Sequence, residues 1–184
     1  MELLLANVDP ETDPVPAGWT AVGFVLSAPV RTVLAYAPDR QPHAVVPGEP
    51  PKALGPTEVN AALVDAVDRA GLAVWPGGWL HALPLAFGAN RRTWQKDRIA
   101  KKGLHPTALR TLACLADAED AEARGWLATA LGRYADEAGT SPHVDDRLHE
   151  ARDAADRVLR LLFTVRQGRT FENRGEGLDG GEVR

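Results

Sequence analysis

The sequence predicts an α+β fold: a small, mostly antiparallel N-terminal sheet with one helix, followed by a C-terminal bundle of three to four helices. Three observations predict it. Short β-prone runs broken by proline and glycine fill the first part of the chain, and 3.6-residue apolar periodicity fills the second. Apolar residues at 45% and charged residues at 25% match globular usage. With 184 residues the chain can bury roughly 70% of its extended surface, enough for one domain or two small ones.

The first strand is expected in ELLLANV (2–8), stopped by the proline- and acid-rich DPETDPVPAG. WTAVGFVL, the turn SAPV and RTVLAYAP then read as a hairpin, with Thr32, Leu34 and Tyr36 alternating against Val33 and Ala35 as in a half-buried strand. HAVV (43–46) is a fourth short strand, and PGEPPKALGP (47–56) a loop. A helix begins at Thr57, with Val59, Leu63, Val67 and Ala70 on one face and Gly71 as its C-terminal stop. LAVW (72–75) reads as one more strand.

We therefore place an α+β unit at 1–78 and a hinge at 79–90, where Trp75 and Trp79 seal the seam between halves. A helical bundle follows at 91–167 and a flexible tail at 168–184. In the bundle, RRTWQKDRIAKK is a basic helix, GLHP a turn and 107–120 a second helix. A third helix shows a stripe of Ala123, Leu127, Ala130 and Tyr134, reinforced by Trp126 and Leu131. Ser141-Pro142 opens the last helix. There Val144, Leu148, Ala151, Ala155, Val158, Leu162 and Val165 recur at alternating steps of four and three, a heptad seam. The seam is expected to complete the chain's own bundle, with a homodimer or partner helix as the alternative. The tail is glycine-rich and polar, so mobility is expected there.

Charge is distributed unevenly. From Arg91 to Arg110 seven basic residues accompany one acid, Asp97, while the whole chain carries a formal charge of −4. That balance argues against a generic nucleic-acid coat and for a local polyanion site. Arg91, Arg92, Lys96, Arg98, Lys101 and Lys102 would grip phosphates, Trp94 would stack on an unpaired base, and Arg110 would add a contact from the next helix. The arrangement resembles a helix-turn-helix only in outline, because its second helix turns acidic and would repel phosphate.

Other chemistry is poorly supplied. The single cysteine, Cys114, excludes an internal disulfide and a cysteine-rich zinc site, and its place between Leu112 and Leu115 suggests a small core residue. The Gly175, Gly177 and Gly180 triplet lacks a following helix and so is no dinucleotide fingerprint. His143, Asp145, Asp146, His149 and Asp153 lack strict ligand spacing, so neither a metal nor a cofactor is expected. Ser27 and Ser141 sit in a turn and at a helix cap, outside any nucleophile motif.

A non-enzymatic binding or adaptor protein is thus expected, using the basic helix (91–102) against nucleic-acid phosphates or an acidic protein. The alternatives are a small enzyme with a pocket near Trp75, Trp79 and His81, and an immunity- or phage-type protein that occupies one partner. No apolar run suits a membrane span and no signal peptide is evident, so the expected address is the cytoplasm. The Lys-poor, Ala/Arg/Asp/Gly-rich usage fits a GC-rich, bacterial coding bias.

Overall fold

The computed structural model describes residues 1–166. The expected tail at 168–184, with its glycine triplet, lies outside them.

Five strands form one antiparallel sheet in sequence order: β1 (Leu3–Leu5), β2 (Thr20–Val25), β3 (Val33–Tyr36), β4 (Pro42–Val45) and β5 (Lys52–Ala53). The short β5 lies inside the segment expected to be only a loop. Gly23 marks a register shift between β2 and β3. Its φ of +150° and its contact with the Leu4 carbonyl leave no room for a side chain, which explains a glycine inside a strand.

Strand β3 is buried on both faces, not one. Leu34 and Tyr36 join the main core, whereas Val33 and Ala35 meet Val45 in a second cluster with Val8, Val15, Trp19 and Phe24. The proline- and acid-rich 9–18 segment thus runs beside the second face. Asp13 anchors it: its carboxylate, 1% exposed, accepts from Arg31 Nε and Nη2 at 2.7 Å each. Arg31 in turn lies 4.5 Å over the Phe24 ring.

Helix α1 (Pro56–Val74) covers the main face with Val59, Leu63, Val67 and Val74. It runs straight through Gly71 and absorbs 72–74, so neither the expected stop nor the expected LAVW strand exists. The reason is packing. Gly71 faces Trp79, and the helix continues until the Trp75 amide donates to the Gly71 carbonyl at 2.8 Å.

Residues expected as a hinge fold instead into α2 (Trp79–Ala86), with Trp79, Leu83 and Pro84 buried. One hydrophobic core joins Leu3, Leu34 and Val67 to Trp79, Ile99 and Leu112. The basic segment is not one helix. It is a 3₁₀ turn (Arg91–Trp94), an extended Gln95 (φ −70°, ψ 140°), and α3 (Lys96–Lys102). Trp94 forces the break by turning inward, edge-on to Phe87 at 5.6 Å. Burying an indole outweighs continuing the helix through it.

Helix α4 (Pro106–Ala116) sets Leu109, Leu112 and Ala113 in the core and reaches β1 and β2, so the sheet carries two helices. Cys114, expected in the core, is exposed, with its Sγ 3.5 Å from Asn7 Oδ1. In α5 (Ala121–Glu137) the inward side is Gly125, Thr129, Gly132 and Ala135, not the expected stripe. Trp126 is 63% exposed, and Leu127, Ala123 and Ala130 face solvent too. Small residues win because they let backbones meet. Gly132 sits against the Leu85 and Ala86 carbonyls, and Thr129 accepts the Trp75 indole N–H at 3.0 Å.

The last helix, α6 (Val144–Arg166), lies along α5. Of its heptad seam only Ala151 is buried and Ala155 half-buried; Val144, Leu148, Val158, Leu162 and Val165 are exposed. Among the described residues, the bundle leaves most of the seam uncovered.

Candidate functional site

The basic residues separate into groups with different work. Lys96 binds Asp68 at 3.1 Å, and Asp68 also accepts from the Trp79 indole at 2.9 Å. These bonds, the indole's first, hold the Asp68 carboxyl below its ordinary range. Lys96 is thus tied to the core helices. Arg91 meets His81 Nε2 at 3.1 Å in an open depression of about 440 Å³ shared with Asp136. Arg110 stands on α4 in another cavity, beside Asp13 and Cys114. Trp94, expected to stack on a base, is 2% exposed and unavailable for it.

What remains converges. Arg92 from the 3₁₀ turn and Arg98 and Lys102 from α3 line one cavity of about 210 Å³ with Asn90, Thr93 and Gly103. Asn90 shapes the turn by accepting the Arg92 amide at 2.9 Å. Arg92, Arg98, Lys101 and Lys102 make no ion pair among the described residues.

Lys102 and Gly103 also wall a second cavity of about 210 Å³, whose other residues include Tyr36, Arg40, Asn60 and His105. Gly103 ends α3 at φ 65° and packs on Asn60, which keeps the two cavities side by side. Helices α1 and α4 both begin at this wall, at Pro56 and Pro106, and add the positive ends of their dipoles. Arg40 holds φ 68°, the one non-glycine with positive φ among the described residues. The buried Tyr36 hydroxyl has no hydrogen-bond partner among the described residues. Burial pushes its titration above the ordinary tyrosine range, so it stays a neutral O–H donor.

Sequence reasoning missed Tyr36, Arg40, Asn60 and His105. Tyr36, Arg40 and Asn60 lie far from the basic run and only the turn after β3 and the start of α1 bring them to it, whereas His105 follows Lys102 closely but carries no formal charge to mark it. Each cavity is smaller than the roughly 300 Å³ at which drug-sized ligand sites begin, and suits a single anionic group.

The residues expected around an alternative pocket do not form one. Trp75 and Trp79 are core side chains, and His81 alone of the three reaches the open depression. Among the described residues no three of His, Cys, Asp and Glu come together to hold a metal. Glu150 instead accepts the Thr140 amide and hydroxyl at 2.7 and 2.8 Å, bonds that lower its titration. No helix among the described residues is long and apolar enough to cross a membrane. Compared with known protein families, curated proteins and solved structures, the chain matches none.

Proposed function

We propose that this protein binds a phosphate-bearing polyanion, nucleic acid foremost, across the surface formed by Arg92, Arg98, Lys101 and Lys102 and continued by Arg40. One observation carries the reading: four exposed cations on one short stretch have no carboxylate partner among the described residues, where Lys96, Arg31 and Arg69 each have one. Unpaired clustered cations are the electrostatic footprint of phosphate contact. Two adjacent anion-sized hollows favour successive phosphate groups over the flat surface of an acidic protein. With Trp94 in the core, the contacts position the backbone and carry little base readout.

Fluorescence anisotropy with short duplex and single-stranded DNA and RNA, titrated across salt, tests this. Four duplex contacts give a log–log slope of about −3.6, and replacing Arg92, Arg98 or Lys102 by Ala removes about 0.9 each. Arg110→Ala, in a different cavity, leaves the slope unchanged. Absence of binding at low salt refutes the reading and turns attention to an acidic protein partner.

A further inference from the structure

We propose that α6 is the interface for a second copy of this chain, with the two α6 helices antiparallel. Residues 156–166 of α6 are all exposed, and six of these eleven are Val158, Leu159, Leu161, Leu162, Phe163 and Val165. Phe163 is 75% exposed and, at the other end, Val144 is 70% exposed. The helix is 23 residues long and its neighbour α5 only 17, so its apolar end outruns its cover. With Val144 and Leu148, these side chains expose on the order of 800 Å² per copy, about what a standard interface buries on each side. Open apolar area of that size on one helix marks an interaction surface.

The pattern of the seam accommodates a second copy. Taken in order about Ala155, Leu148 and Leu162 are equidistant, while Val144 and Val165, and Ala151 and Val158, match to within one residue. Read backwards the steps alternate in the opposite phase, so in an antiparallel pair each seam residue falls within one residue of a seam residue of the other copy, close enough for an isologous twofold contact. The contact is carried by the large residues toward the ends, because at the centre Ala151 is already buried and Ala155 half-buried within the chain's own fold.

Charge selects the direction. The first part of α6 carries Asp145, Asp146, Glu150, Asp153 and Asp156 against Arg147 and Arg152, whereas the part after Asp156 carries Arg157, Arg160 and Arg166 and no acid. Antiparallel pairing sets the acidic half of one copy along the basic half of the other. Parallel pairing would set like on like. This assembly stands independently of the polyanion surface, which lies on other elements.

Sedimentation equilibrium of the full chain over a wide concentration range should give twice the monomer mass. Leu162→Glu should return the monomer mass with unchanged far-UV circular dichroism. In a Cys114→Ser background, Val144→Cys and Val165→Cys proteins should crosslink when mixed and not when oxidised separately. A monomer at all concentrations overturns the proposal, and so does a Val144→Cys protein that crosslinks to itself, which would mean parallel helices. If only the chain lacking 167–184 dimerises, the tail and not a second copy covers the face, and the proposal fails.

Discussion

Replacing Gly71 with alanine pits two effects of known size against each other. Gly71 lies inside α1 with helical neighbours on both sides, where alanine is worth about 1 kcal/mol over glycine. On propensity alone the variant gains stability. The added Cβ, however, would lie 2.6 Å from Trp79 Cγ, 2.8 Å from Cδ2 and 3.0 Å from Cβ. Trp79 cannot retreat freely, because it is 3% exposed and its indole N–H is bonded to Asp68. Overpacking of this kind costs about 1–3 kcal/mol. Straining the bond to a carboxylate adds about 1 kcal/mol more. The net expectation is destabilisation by about 1–3 kcal/mol. In urea unfolding the midpoint should fall with the m-value unchanged. In thermal unfolding each kcal/mol corresponds to about 2–4 °C at this chain length. A Trp79→Ala background leaves only Trp79 Cβ nearby, so Gly71→Ala should there turn neutral or stabilising. The two substitutions should then couple by about 2 kcal/mol. A Gly71→Ala protein that is about 1 kcal/mol more stable than the parent would refute the assigned contact.

Of two further predictions, the first concerns the second face of the sheet. Arg31 holds the folded Asp13 carboxyl below its ordinary range. The pair therefore contributes stability that is complete above the unfolded carboxyl value of about 3.9 and is lost as pH falls through the lower folded value. Asp13→Asn should cost about 1–2 kcal/mol at neutral pH, at the modest end for a charged hydrogen bond because Arg31 is 67% exposed. Its deficit should close below about pH 4; a deficit constant with pH would exclude the pair as its source. Separately, Cys114 is exposed on α4, so an aromatic disulfide reagent should modify it stoichiometrically without denaturant. Modification only on unfolding would contradict its placement.

Much of the fold was legible where periodicity was strong. The alternation over Thr32–Tyr36 marks β3, the Val59–Leu63–Val67 spacing marks α1, and the heptad seam marks the full run of α6. The failures share a physical cause. Glycine and threonine at 125, 129 and 132 carry no hydropathy signal, yet they form the side of α5 that meets its neighbours, while Trp126 and Leu127 carry the signal and face water. Gly71 reads as a stop from propensity and is a contact surface in fact. Trp94 sits in a charged run and is core. At the candidate site, the basic residues could be read from charge alone. Which of them stay unpaired could not be, because Asp68 takes Lys96 from α1, more than twenty residues earlier. Tyr36 and Arg40 enter only through tertiary structure.

Because every strand of the sheet pairs with its sequence neighbour, each pairing closes a short loop and costs little chain entropy. The long closure is the docking of α4 on β1 and β2. During synthesis the sheet can therefore form early, but the part of its main face under α4 stays bare until Leu109 and Leu112 have left the ribosome. Over that interval Leu5 and Val22 offer a sticky surface to other nascent chains, so the vulnerable moment in the life of this protein falls between the emergence of α1 and that of α4.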